Sequence, residues 1–213
     1  MNRTASRKIT WILFDLGNVL VELRTGGLER AAAALGSTPG RLSALFNENG
    51  IAERIAVGKL SPQEFVEQIN RRFGSSIAPA DVVNWFGPEV AAVFPESPAL
   101  IASLKGRYSL VILSNTFFGH WDWFIATEFA RQFDAPMASH LLGFCKPDPR
   151  AYRAALDRMG ATAAETVFVD DLAENVEAAR ALGFTAFQSA TPSQLIQGLQ
   201  RAGVTTKIDP QIR

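Results

Sequence analysis

The stretch Trp11-Ile12-Leu13-Phe14-Asp15-Leu16-Gly17-Asn18 constrains this chain more than any other. Four apolar, mostly strand-favouring residues predict a fully buried strand, and the run stops at one carboxylate followed by Gly and Asn, residues of a loop. Asp15 is thereby expected at the strand's C-terminal end, and no other acid lies between Lys8 and Glu22. In an open parallel sheet, ligands bind at that end.

From about Gly26 to Phe94 the pattern turns helical. Thr38-Pro39 and Ser61-Pro62-Gln63-Glu64 read as helix starts, the second with a capping box, and Phe65, Val66, Ile69 and Phe73 mark one apolar face before Gly74 ends that helix. No strand is expected in this interval, so residues 20–94 read as a helical module inserted after the first strand. Ser97-Pro98 opens the next helix in the same way. Tyr108 to Leu113 predicts a strand ending at Ser114-Asn115-Thr116, and Phe133 to Ala138 a shorter one. Gly143 to Pro149 is a loop carrying Lys146, after which Asp148 and Pro149 open a helix. Thr166 to Val169 predicts a strand that stops at Asp170-Asp171, Phe184 to Phe187 another, and Thr191-Pro192 caps the last helix. The alternation over residues 96–203 calls for an α/β fold, a Rossmann-like parallel sheet with helices on both faces. The expected division is a core of residues 9–19 and 95–203, a helical module of 20–94 and a loose polar tail of 204–213.

A chain of 213 residues, 47% of them hydrophobic, can bury a sizeable core. Lys+Arg and Asp+Glu both number 21 with no basic block, which argues against a nucleic-acid partner. Cys145 is the sole cysteine, so no internal disulfide forms, in keeping with a reducing cytoplasm. It adjoins Lys146, which could lower its pKa, but no base partner is evident and it reads as incidental. The first ten residues lead into no signal-peptide pattern, and no apolar run approaches the roughly 18 residues of a membrane span. A soluble cytoplasmic protein, monomer or homodimer, is expected. The aromatic run Phe117 to Phe133 reads as packing. His120 and His140 fall outside every strand-end motif and read as surface or packing residues.

Asp15, Ser114 and Asp170-Asp171 each follow a predicted strand end, so one sheet brings them to one cleft. Asp15 with Asp170-Asp171 offers the hard, oxygen-only site that Mg²⁺ prefers. Such an ion would offset the charge of a phosphoryl group while Asp15 attacks phosphorus, and water would hydrolyse the aspartyl-phosphate. Ser114 and nearby backbone N–H groups could hold phosphate oxygens, with Lys146 neutralising charge in the transition state. Taken singly, Lys146 reads as well as a solvated loop lysine, and Asp170-Asp171 as a helix N-terminal acid pair.

Phe14-Asp15-Leu16-Gly17-Asn18-Val19-Leu20, Leu113-Ser114-Asn115-Thr116, Lys146-Pro147-Asp148-Pro149-Arg150-Ala151-Tyr152 and Phe168-Val169-Asp170-Asp171-Leu172-Ala173-Glu174-Asn175 together resemble the four ordered motifs of the haloacid dehalogenase-like superfamily. The inserted helices resemble its first-type helical cap. The Asp-Leu-Gly-Asn-Val stretch and the Ser-Asn-Thr turn are most similar to its bacterial sugar-phosphate phosphatase branch, which includes α-D-glucose-1-phosphate phosphatase. The resemblance implies Asp15 as nucleophile, Ser114 and Asn115 as phosphate contacts and Lys146 as the charge-neutralising lysine. It implies Asp171, with Asp170, Asp15 and the Gly17 carbonyl, as ligands of Mg²⁺.

One position departs from the pattern. Most phosphatases of the superfamily carry an acid–base aspartate two residues after the nucleophile, where this chain has Gly17. Such a group contributes roughly 10² to 10⁴ in rate. The reading that follows is a Mg²⁺-dependent phosphomonoester hydrolase acting on a small phosphorylated metabolite, a sugar phosphate, with leaving groups that need little protonation. The alternatives are a 2-haloacid dehalogenase, which needs neither that aspartate nor a metal, and a binding domain that turns nothing over.

Overall fold

The computed structural model describes residues 8–87 and 91–207. Strand β1 (Trp11–Phe14) leads into the short β2 (Val21–Leu23), followed by helices α1 (Gly27–Ala34), α2 (Pro39–Asn47), α3 (Ile51–Ala56), α4 (Pro62–Phe73) and α5 (Pro79–Phe86). Then come β3 (Ala91–Val93), α6 (Ser97–Leu104), β4 (Ser109–Ser114), α7 (Phe118–Ile125), β5 (Ala135–Ala138) and α8 (Ser139–Leu142). The chain continues through α9 (Pro149–Met159), β6 (Thr166–Asp170), α10 (Ala173–Ala181), β7 (Thr185–Gln188) and α11 (Pro192–Arg201).

Five strands form one parallel sheet in the order β5-β4-β1-β6-β7. The apolar run of β1 is needed because both faces are covered. Ile12 and Phe14 point into a cluster with α6, α7 and α11, through Leu100, Ile101, Phe124 and Leu195. Leu13 points the other way, onto Tyr152 and Ala155 of α9 and Val176 and Ala179 of α10. Each fully buried side chain of this kind contributes about 1.5–3 kcal/mol. Helices α1 to α5 close a third cluster of their own around Leu42, Ile55, Phe65 and Ile69, joined by Phe118 of α7. Ser61 and Glu64 form the expected capping box, and Gly74 closes α4 at φ 64°.

Three local expectations are corrected. A strand exists at Ala91–Val93, pairing antiparallel with β2 (Val21↔Val93). Three residues are too few to show a period, and the partner lies some seventy residues away in sequence. Ser97 is not a cap: Glu96 precedes the helix, and the Ser97 hydroxyl donates to the Leu20 carbonyl at 3.0 Å, tying α6 to the β1–β2 connection. The start of the supposed loose tail is anchored, with Val204 buried in the core and the Thr205 N–H donating to the Tyr108 hydroxyl at 3.0 Å. The rest of that tail, 208–213, and residues 1–7 of the N-terminal stretch lie outside the described residues.

Candidate active site

Strand register alone brings the acids together. Phe14 pairs with Ile112 of β4 and with Val169 of β6, so the next residues, Asp15 and Asp170, stand level on adjacent strands. The Asp15 N–H extends the ladder by donating to the Val169 carbonyl at 2.8 Å. Ser114 ends β4, and Asp171 begins the turn into α10. The chain leaves β1 and β6 in opposite directions, and the crevice between them is the usual ligand site of such sheets.

Lys146 enters from the loop between α8 and α9. Its Nζ donates to Asp15 Oδ1 and to Asp170 Oδ2, both at 2.6 Å, and the lysine is 4% exposed. Asn115 fixes it there: the Lys146 N–H donates to Asn115 Oδ1 at 2.8 Å, and Asn115 Nδ2 donates to the Lys146 carbonyl at 2.7 Å. The Asn115 amide is thus committed to positioning the lysine. Asp170 Oδ1 accepts from the Leu172 N–H and from Asn175 Nδ2, both at 2.9 Å. Asp171 Oδ2 accepts from Asn18 Nδ2 at 3.0 Å, and Asn18 sits at φ 56°, a left-handed conformation that asparagine tolerates.

Burial raises the pKa of Asp15 to about 6, against the pull of Lys146 and with a push from Asp170. Burial also opposes the charge on Lys146, but Asp15 and Asp170 outweigh it and hold its pKa above the ordinary lysine value. One ligand oxygen each from Asp15, Asp170 and Asp171 lies within 4.8 Å of the others. Asn175 Oδ1 is buried without a hydrogen-bond partner among the described residues. An all-oxygen donor set with an unsatisfied carbonyl oxygen beside it fits a hard divalent cation.

These groups line a cavity of about 270 Å³ that also includes Gly17, Ser114, Thr116, His120, Trp123 and Phe124. All the residues singled out in the sequence meet here. His120, Trp123 and Phe124 are additions, and so are the roles of Asn18 and Asn175. Positions 120, 123 and 124 share one helical face, a spacing that the aromatic run displays but that packing alone also explains. His120 does pack, edge-on to Phe86 and Phe117, with ring centroids 5.8 and 4.8 Å away. Burial pushes its pKa down to about 4, and its Nε2 has no partner among the described residues. The Cys145 thiol is raised, not lowered, because burial outweighs the neighbouring Lys146.

Residues 9–183 match the haloacid dehalogenase-like hydrolase family. The chain belongs to that family. Among similar proteins, the D-ribitol-5-phosphate phosphatase of Bacteroides thetaiotaomicron is 28% identical over 187 residues, covering 83% of this chain and 90% of that protein. The mouse acyl-CoA dehydrogenase family member 10 is 27% identical over 92% of this chain, which spans only 19% of that longer protein. Among solved structures, a predicted HAD-like hydrolase from Porphyromonas gingivalis superposes with TM-score 0.77 at 26% identity, covering 93% of this chain and 99% of that one. A HAD-family enzyme from Bacteroides thetaiotaomicron, solved with magnesium and inorganic phosphate, gives TM-score 0.71 at 23% identity over 84% and 93% of the two chains.

Proposed function

We propose that this hydrolase is a Mg²⁺-dependent phosphomonoesterase that works through an aspartyl-phosphate at Asp15. The observation that carries the reading is the convergence of Asp15, Asp170, Asp171 and Lys146 at the ends of two adjacent strands and one loop, with carboxylate oxygens of the three acids within 4.8 Å of one another. Asp15, Asp170, Asp171 and the Gly17 carbonyl would hold Mg²⁺, which when bound offsets the negative charge of the phosphoryl group. A carboxylate oxygen of Asp15 attacks phosphorus, and the bond from phosphorus to the ester oxygen breaks with its electron pair going to that oxygen. Water then attacks the same phosphorus, sheds its proton to solvent and frees phosphate, restoring the Asp15 carboxylate. The Ser114 hydroxyl holds phosphate oxygens, and the Lys146 ammonium, placed by Asn115, stabilises the charge that builds on them.

Gly17 supplies no acid, so the alcohol must leave as a weak base and take its proton from water. A sugar 1-phosphate meets that condition at its anomeric oxygen, whereas the primary alkoxide released from the ribitol 5-phosphate of a relative's name does not. We read residues 20–94 as a cap over the core of 9–19 and 95–203. We also read the protein as a cytoplasmic monomer or homodimer. No helix among the described residues is long and apolar enough to cross a membrane.

The test is phosphate release from a panel of monoesters including glucose 1-phosphate, with Mg²⁺ or EDTA, for wild type and Asp15→Asn. Release should need both the metal and Asp15, with a loss on the order of 10⁴-fold or more in the variant. Release that survives the chelator or the substitution refutes the reading.

A further inference from the structure

Beside its charged and amide groups the site carries a run of apolar side chains. Beyond Asp15, Lys146, Asp170 and Asp171 no charged side chain among the described residues lines the cavity, and its apolar lining includes Val21, Leu23, Trp123, Phe124 and Leu172. Leu23 and Leu172 are 46% and 49% exposed, two of the four large apolar residues left exposed among the described residues. Both stand at this one cleft, where an apolar ligand would remove them from water.

A second cavity of about 360 Å³ adjoins the first, with Asn115, Thr116 and His120 in the walls of both. The rest of its wall is Phe46, Ala52, Ile55, Ala56, Phe117 and Cys145, again without a charged side chain among the described residues. A polyol placed there would leave several hydroxyls facing carbon, each losing its hydrogen bonds to water. A flat ring would instead meet Phe46, Phe117 and the His120 imidazole. The missing acid at Gly17 selects in the same direction, since a phenolate departs unprotonated far more readily than an aliphatic alkoxide.

We propose that the substrate is an aryl phosphate, its phosphate over Asp15 and its ring with any apolar substituents in the chamber beneath α2 and α3. This rests on the phosphomonoesterase reading and replaces the sugar phosphate with an ester whose leaving group is equally weak as a base but apolar. In the first step the bond from phosphorus to the phenolic oxygen breaks, the electron pair leaves with the phenolate, and water protonates it.

A series of 4-alkylphenyl phosphates, methyl to butyl, holds leaving-group basicity nearly constant while the hydrocarbon grows. Wild-type kcat/KM should rise roughly three- to fourfold per methylene, the transfer preference of one CH₂. Phenyl phosphate should exceed glucose 1-phosphate and ribitol 5-phosphate by roughly tenfold or more, since a polyol leaves its hydroxyls unpaired. Ala52→Phe, which narrows the chamber at an exposed position, should end the rise at a shorter chain. A flat series, an unchanged length limit in Ala52→Phe, or polyol phosphates that outrun the aryl esters while still requiring Asp15 would overturn the aryl assignment alone. Esters hydrolysed without Asp15, or no ester hydrolysed at all, would overturn the phosphomonoesterase reading with it.

Discussion

Lys146, Gly17 and His120 bear on charge, proton supply and stability in ways that single substitutions can separate. Lys146 is buried between two carboxylates, so Lys146→Met leaves them facing each other. The metal-free variant should lose about 3–5 kcal/mol in urea unfolding, the usual cost of stranding a buried charge, and kcat should fall by roughly 10²-fold or more. Added Mg²⁺ should restore part of the stability. Gly17→Asp reintroduces the missing acid. Its Cβ would stand 2.8 Å from the tip of the exposed Leu23 side chain, which can turn aside, and Gly17 is not among the left-handed glycines. The variant should speed hydrolysis of alkyl phosphates by up to roughly 10²-fold while leaving aryl esters nearly unchanged, because only the former need a proton. His120 bears on stability. With its pKa depressed from 6.5 to about 4, the unfolded chain binds a proton that the folded chain refuses. Stability is therefore lost as pH falls through that window, by at most about 1.4 kcal/mol per unit. Asp15 acts in the opposite sense, since its pKa is raised from 3.8 to about 6 and its contribution is lost as pH rises. Comparing wild type with His120→Asn by urea unfolding between pH 6.5 and about 4 isolates the histidine: wild type should lose stability faster, and parallel curves would refute the assignment.

At the scale of elements, the sheet and its order of motifs were legible because each strand is an apolar run stopped by polar residues. The cap signals at Ser61, Asp148 and Thr191 are local, and each makes its expected bond. What stayed hidden depends on distant partners. Ser97 has the look of a cap, yet its hydroxyl is taken by Leu20, a contact across 77 positions. The short β3 exists only through β2. The docking of α3 on α8 is equally non-local: Gly58, at φ 68°, would place a Cβ 2.0 Å from the His140 carbonyl oxygen, and the Cys145 thiol donates to the Ala56 carbonyl at 3.5 Å. Gly58→Ala has neither the space nor the conformation. It should cost more than about 1 kcal/mol in unfolding free energy and raise KM more than it lowers kcat, as the helices stand off the cleft.

Across the whole molecule, the site was readable in outline because a parallel sheet gathers its strand ends, so Asp15, Ser114 and Asp170-Asp171 needed only their order to be placed together. Lys146 was readable as a candidate, but its grip on both carboxylates was not, since it depends on the Asn115 clamp. His120 and the apolar walls could not be found from pattern, because an aromatic run that packs and one that lines a cleft look alike in sequence. The account as a whole stands on Asp15 as a nucleophile. Rapid acid quench of wild-type enzyme turning over a phosphomonoester with Mg²⁺, followed by peptide mass analysis, should find one phosphoryl group on the peptide carrying Asp15, and none in Asp15→Asn. Phosphate released at full rate with that peptide never modified would contradict it.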